Sequence, residues 1–171
     1  QGNYYTTQEL WDKFSVDVLR YFLLTKHYRS PIDFSIEEVE KAQKSLEKLV
    51  NTKKNMEKIL NKDIDGVKNF AHEGFIDQLK EHRQKFEEAM DNDFNSAQAI
   101  GVLNELASDI NSFIHDSELD LNKTTQMIVK ESYKLLNRLA GILGLELIPE
   151  EGSKNYSELV NDLIEYILGM R

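Results

Sequence analysis

The chain has 171 residues, of which 40% are hydrophobic and 30% are charged, and this composition is typical of a globular domain rather than a disordered chain. It contains no cysteine, which excludes disulfides, zinc–thiolate sites and a cysteine nucleophile from these residues. The formal net charge is −9, but residues 1–60 carry +1 and residues 61–171 carry −10, so a polyanion should approach only the first third.

Two helices are predicted before residue 25. The pattern Thr6-x-x-Glu9 fits a capping box and predicts a short helix through Trp11. Ser15 is a candidate N-cap for the second helix, at residues 16–24. This second segment is apolar on almost every face, which predicts that it is buried.

A loop is predicted at residues 26–31, because Pro31 biases the residue before it away from helical geometry. The helix before this loop contains Arg20, whose guanidinium should need a carboxylate or carbonyl partner unless it extends to the surface.

The longest predicted helix begins at a second capping-box pattern, Ser35-x-x-Glu38, and runs to about Leu60. Its apolar residues are spaced alternately by three and four, broken only by Lys53, which is typical of a helix-bundle seam; they are Val39, Ala42, Leu46, Leu49, Met56 and Leu60.

Four further helices are predicted after a linker at residues 61–72, and the last begins near Ser157. No segment alternates with a period of two, so short strands are expected only near residues 3–5 or 31–35. We therefore predict an all-α, up-and-down helical bundle of about six helices, with at most a short strand near the N-terminus. The aromatic residues of the helical segments are predicted to lie in the core: Trp11, Phe86, Phe94 and Phe113.

Acidic and amide residues at 91–95 resemble the start of a calcium-binding loop. That loop needs glycine at its sixth position and glutamate at its twelfth, where this chain has Ser96 and Val102. The calcium interpretation therefore fails. We predict instead that Asp91, Asp93 and Asn95 cap the backbone where one helix ends and the next begins.

No active site is predicted in the chain. None of the four histidines pairs with another at the i, i+4 spacing that places two imidazoles on one helix face beside a metal. Glycine-rich phosphate loops, nucleophile elbows and triad patterns are also missing from the sequence.

Two groups of cations are candidate nucleic-acid contacts. Lys26, His27, Tyr28 and Arg29 combine charge with a ring that can stack on a ribose or base. The alternative is a solvated loop in which the tyrosine covers the end of a buried helix, and composition alone favours that alternative.

The second group is Lys41, Lys44 and Lys48, which share one helix face at i, i+3, i+7 spacing and could follow a phosphate backbone. The alternative is an ordinary solvated face, because Glu40 and Glu47 lie close by.

Residues 17–20 (Asp-Val-Leu-Arg), followed by residues 27–31 (His-Tyr-Arg-Ser-Pro), resemble the helical domain of cysteinyl-tRNA synthetases, which is named for an Asp-Ala-Leu-Arg motif. Residues 86–95 resemble the family pattern Phe-x-x-Ala-Met-Asp-Asp-Asp-Phe-Asn, with Asn92 as a mild departure. Residues 2–6 resemble the segment after the family's Lys-Met-Ser-Lys-Ser loop. The resemblance spans about residues 2–170.

This resemblance implies a longer parent that activates cysteine with ATP and magnesium, attaches it to tRNA(Cys), and selects cysteine with a zinc ion. The catalytic residues, the cofactor sites and the terminal anticodon-reading domain would lie outside this chain. Residues 1–34 would then follow the catalytic domain and contact the tRNA stem, and residues 35–171 would form a tRNA-facing bundle. The expected domain-junction residues are Gly2, Asn3, Asp17 and Arg20.

Both ends are expected to be cut, because the chain begins with Gln1 and ends at Arg171 within an apolar periodic stretch. No apolar run approaches the roughly 20 residues of a membrane span, so a cytoplasmic location without a membrane partner is expected. A monomer is also expected. Two alternatives remain open. One is a related ligase of small-thiol biosynthesis that joins cysteine to an amino-sugar. The other is a helical interaction module without enzymatic function, which the net charge of −9 would suit.

Overall fold

The structure is a computed structural model that describes residues 6–32, 34–66, 73–116 and 119–148. These residues form six helices and no strand, which confirms the predicted all-α bundle. The helices are α1 (Thr7–Trp11), α2 (Val16–Leu24), α3 (Ile36–Leu60), α4 (Glu73–Asp91), α5 (Ser96–Ile114) and α6 (Lys123–Ile142). The possible strand at residues 3–5 and the predicted helix near Ser157 lie outside the described residues.

The chain divides into two compact units. One contains Gln1–Val16 and Ile148–Arg171, and the other contains Asp17–Leu147. The predicted division at residue 34 stays a prediction.

In the first unit, α1 begins with the predicted capping box. The Thr6 hydroxyl accepts from the Glu9 N–H at 3.3 Å, and the Glu9 carboxylate accepts from the Thr6 N–H at 2.7 Å. This second bond is the main cause that lowers the pKa of Glu9. Trp11 is 56% exposed, so its prediction as a core residue is wrong. A helix of five residues is too short to cover an indole ring with its own side chains.

In the second unit, α4 packs against α5, and α3 packs against both α5 and α6. The predicted seam of α3 is confirmed from Val39 to Met56, whereas Leu60 is half-exposed and its neighbour Ile59 is buried instead. The amide of Gln126 donates to the carbonyl of Leu60 at 3.2 Å, which joins the end of α3 to the start of α6. Fully buried large side chains from five helices fill the core: Tyr21, Leu49, Met56, Phe86, Leu103, Leu106, Leu136 and Leu139.

Helix α2 is buried as predicted, through Val18, Tyr21 and Phe22. The Tyr21 hydroxyl accepts from the amide of Asn104 on α5 at 2.8 Å, which satisfies the one polar atom of this buried ring. Burial raises the pKa of Tyr21. None of the helices in the described ranges is long and apolar enough to cross a membrane.

Candidate nucleic-acid interface

The loop after α2 is tied to the turn between α4 and α5. The Tyr28 hydroxyl donates to Asp93 Oδ1 at 2.8 Å, and Arg29 Nη2 donates to the same oxygen at 3.2 Å. Arg29 Nε also donates to the Tyr28 hydroxyl at 2.9 Å, and the His27 ring stacks on the Tyr28 ring with centroids 4.9 Å apart. Three of the four predicted loop residues therefore form one cluster with Asp93.

Both permanently charged cations of this loop face a carboxylate. Arg29 pairs with Asp93, and Lys26 Nζ lies 3.7 Å from Glu38 Oε2. The Arg29 side chain remains 68% exposed, and an exposed pair of this kind contributes about 0–1 kcal/mol to stability. A phosphate that approached the loop would have to compete with carboxylates already in place.

The hydrogen bond to Asp93 is the main cause that raises the pKa of Tyr28. The carboxylate accepts from the protonated hydroxyl and repels the phenolate. Ionisation of Tyr28 would therefore break this hydrogen bond and leave Arg29 as the remaining contact between the loop and Asp93.

The predicted α3 lysines differ among themselves. Lys41 donates to Glu38 at 2.6 Å, and this bond raises the pKa of Lys41 and lowers that of Glu38. Lys44 and Lys48 are exposed, and among the described residues neither has a carboxylate within 4.0 Å. Two of the three predicted contacts thus have no carboxylate within ion-pair distance among the described residues.

The face of α3 that carries Lys44 and Lys48 continues beyond Lys48 and is exposed except at Asn55, which is half-buried. Positions spaced at four, seven, eleven and fourteen residues from the first form one line, here called the α3 stripe: Lys44, Lys48, Asn51, Asn55 and Lys58. It spans about 21 Å at 1.5 Å per residue. Lys58 also has no ion pair within the described part of the chain. The helical spacing of Lys58 from Lys44 and Lys48 could have identified this lysine from the sequence.

The cations of α4 are paired along their own helix. Lys80 contacts Asp77 at 2.8 Å, and Lys85 contacts Glu81 at 2.8 Å. Arg83 and Lys134 make equivalent contacts on α4 and α6. Lys130 and Arg138 on α6 are exposed and have no ion pair within the described residues, so the α3 stripe contrasts with α4 in particular.

The turn at residues 92–95 carries out only part of the predicted capping. Asn95 is the N-cap of α5, and its side chain accepts from the Gln98 N–H at 3.1 Å. Asp91 is the last residue of α4, and the Asp93 carboxylate is directed to Tyr28 and Arg29.

Phe94 is 70% exposed, so its prediction as a core residue is wrong. Its φ of 51° follows a φ of 56° at Asp93, and these two left-handed residues turn the chain so that the ring lies outside the core. Phe86 is buried as predicted, and Phe113 is half-buried and stacked on Phe75 with centroids 4.2 Å apart.

The two described junction residues lie at the start of the second unit. Arg20 Nη1 donates to Asp17 Oδ1 at 2.6 Å and to the Gly144 carbonyl at 2.7 Å, so the predicted need for a partner is confirmed. Gly144 has φ 71° and follows α6 in a Schellman motif, in which the Leu145 N–H donates to the Ala140 carbonyl. Gly2 and Asn3 lie outside the described residues.

The described histidines are placed separately. His82 is buried, with Nε2 2.7 Å from Asp109 Oδ2 and with Nδ1 lacking a partner among the described residues. His115 is exposed, and His72 is not described. Within the described ranges, no group of three or more metal-binding side chains is close enough to hold an ion. These residues therefore do not fit the zinc ion that the resemblance implies.

Residues 85–147, from the second half of α4 to the end of the second unit, match the DALR domain family. The chain is also similar over nearly its whole length to curated cysteine–tRNA ligases. It is 32% identical over 167 residues to that of Thermococcus gammatolerans, covering 96% of this chain and 34% of the relative. The chain belongs to the cysteine–tRNA ligase family. The predicted family is thus confirmed.

Two bacterial cysteine–tRNA ligases match equally well. Identity is 34% over 170 residues for Halalkalibacterium halodurans and 33% over 173 residues for Heliobacterium modesticaldum. Each match covers 99% of this chain, but only 34% and 36% of the relative. The chain thus spans about a third of the length of the curated relatives it matches. Nothing in these comparisons favours the small-thiol ligase or the non-enzymatic module.

Proposed function

We propose that this chain is the tRNA-contacting helical region of a cysteine–tRNA ligase, whose longer polypeptide activates cysteine with ATP and attaches it to tRNA(Cys). The α3 stripe is the observation that carries the proposal. Its lysines are exposed and uncompensated, whereas those of α4 are paired. A row of free cations about 21 Å long suits a ribose-phosphate backbone.

The loop residues 26–29 are proposed as a second contact. Their rings and donors can meet a ribose or phosphate, but the two permanent charges are shared with Glu38 and Asp93. The loop would therefore contribute orientation more than affinity.

Catalysis is assigned to the part of the polypeptide outside this chain, together with the sites for ATP, magnesium and zinc. ATP would supply the energy to activate the cysteine carboxylate, and zinc would bind the cysteine thiolate. The residues described here would hold the tRNA for that reaction. The anticodon-reading domain, the cytoplasmic location and the monomeric state remain part of the same proposal.

A salt titration of tRNA(Cys) binding to the 171-residue chain tests the contact. Because only a few phosphates can be neutralised, we expect weak binding with a log–log salt slope of roughly −2 to −4. Tight binding that persists in high salt would contradict the proposed electrostatic contact, and so would no binding in low salt.

A pyrophosphate-exchange assay tests the assignment of catalysis. The 171-residue chain should show no cysteine-dependent exchange, whereas the full-length protein should show exchange and should charge tRNA(Cys). Exchange by the short chain alone would overturn the assignment.

A further inference from the structure

Exposed apolar side chains occur in the loop after α2, in the segment before α3 and in the turn between α4 and α5. Tyr28 is 61% exposed, Ile32 is 48%, Phe34 is 36% and Phe94 is 70%; these four residues are here called the aromatic end. The hydrogen bond from Tyr28 to Asp93, the residue before Phe94, brings the loop beside the turn, and Ile32 and Phe34 follow Tyr28 along the chain by four and six residues. The ring of Phe34 also meets that of buried Phe22 edge-on at 5.7 Å.

The backbone of the turn holds Phe94 in an unfavourable conformation. Asp93 and Phe94 both have positive φ, which is disfavoured for residues with a β-carbon and is rare for a bulky one. Hydrogen bonds from the Phe94 N–H to the Met90 carbonyl and from the Asn95 N–H to the Ala89 carbonyl maintain it. Since the exposed ring adds little to the core of this unit, the backbone cost is not offset there. Such outliers are typical of functional surfaces.

The charge of this end suits a protein surface better than RNA. Lys26 and Arg29 already face Glu38 and Asp93, so the region is close to neutral. Interfaces between proteins are enriched in aromatic residues and arginine and have few uncompensated charges at their centre. Surfaces that bind nucleic acid are strongly positive.

We propose that the aromatic end is the docking surface for the catalytic part of the longer polypeptide, with the Phe94 ring inserted into it. This inference rests on the proposed function, because it needs the catalytic part to exist outside these residues. The curated relatives are about three times as long as this chain, which leaves ample polypeptide to cover the surface.

Phe94→Gly, measured in two contexts, tests the proposal. In the 171-residue chain, glycine accepts the left-handed conformation and little buried contact is lost, so the unfolding midpoint should rise by about 2 °C. In the full-length protein the docked ring is lost, so the midpoint should fall by several degrees or the single transition should split into two. Phe94→Asn, which also tolerates left-handed geometry, should give the same fall in the full-length protein.

Met127→Ala is the matched control, because Met127 is a 66% exposed apolar residue on α6. It should change the midpoint equally in both contexts. A rise with Phe94→Gly in both contexts would overturn the proposal. If that rise came with weaker tRNA binding, the ring would stack on a base instead. Concentration-dependent self-association of the 171-residue chain that Phe94→Gly abolishes would also overturn it, in favour of a second copy.

The unfolding measurements do not depend on tRNA. A full-length protein that fails to charge tRNA(Cys) would disprove the proposed function, while the two-context comparison would still report whether the ring docks.

Discussion

The loop at residues 26–29 and the α3 stripe both concentrate cations, but the fold pairs the cations of the loop with carboxylates and, among the described residues, leaves those of the stripe unpaired. In the loop, Lys26 and Arg29 each meet a carboxylate. Along α3, Lys44, Lys48 and Lys58 have none within the described residues. The loop is the denser cluster in the sequence, whereas the stripe offers the more available charge in the structure. Whether a cation is available to a phosphate depends on whether a carboxylate pairs with it. The carboxylate that pairs with Arg29 is that of Asp93, which lies 64 residues further along the chain.

Neutralising the stripe should have the largest effect. Lys44→Gln with Lys48→Gln removes two free cations, so tRNA(Cys) affinity should fall roughly 10- to 100-fold at 0.1 M salt, and the salt slope should become shallower by about 2. The measurement is filter binding across a salt series.

Lys80→Gln with Lys85→Gln is the matched control for the stripe, because it removes the same charge from lysines that are already paired on α4. An equal loss of affinity in this control would show that net charge, and not the stripe, governs binding.

Arg20 is the extreme case of a paired cation. Arg20→Met removes bonds to Asp17 and to the Gly144 carbonyl, so the free energy of unfolding should fall by about 1–2 kcal/mol, while tRNA affinity stays the same. Urea denaturation measures the first quantity. A loss of affinity without a loss of stability would assign Arg20 to the RNA contact.

Substitution of Arg29 tests whether a cation that is already paired still contributes to tRNA binding. In the full-length protein, Arg29→Ala should weaken tRNA use about threefold while ATP–pyrophosphate exchange stays nearly intact, because an exposed, shared cation contributes little. Kinetics of charging and exchange, with a melting curve, measure this. Equal losses in both activities, with a lower melting temperature, would leave Arg29 a purely structural role.

Removing the carboxylate that pairs with Arg29 should produce the smallest change in tRNA affinity, and this change should be an increase. Asp93→Asn keeps a side chain that tolerates positive φ but removes the carboxylate, so tRNA affinity should rise up to about twofold. The pKa of Tyr28 should fall toward its ordinary value, because the acceptor that stabilises the protonated hydroxyl loses its charge.

Ultraviolet titration detects the change at Tyr28. In the wild-type chain the raised pKa adds stability below the ordinary tyrosine pKa of about 10, and this stability is lost as the pH rises further. An unchanged titration in Asp93→Asn would show that this hydrogen bond is not formed in solution.

The sequence predicted the features that depend on local spacing. The capping box at Thr6, the buried α2 and the α3 seam follow from patterns within a few turns of one helix, where neighbouring positions fix the geometry. The same spacing would have extended the stripe to Lys58.

Features that depend on the turn at residues 92–95 could not be predicted in this way. Phe94 was expected in the core, because an aromatic ring between two helices is usually buried, and no glycine signalled positive φ. The contacts of Asp93 with Tyr28 and Arg29 join segments more than 60 residues apart, and a helical pattern carries no information about such pairs.

The bond between Arg20 and the Gly144 carbonyl also sets an order of events during synthesis. The two residues are 124 positions apart, so at about 5–20 residues per second the ribosome needs roughly 6 to 25 seconds to supply the acceptor. During that interval Val18, Tyr21 and Phe22 cannot be covered by the completed bundle. Helix α2 is therefore among the last helices to complete its tertiary contacts, and its apolar side chains stay uncovered in the nascent chain until then.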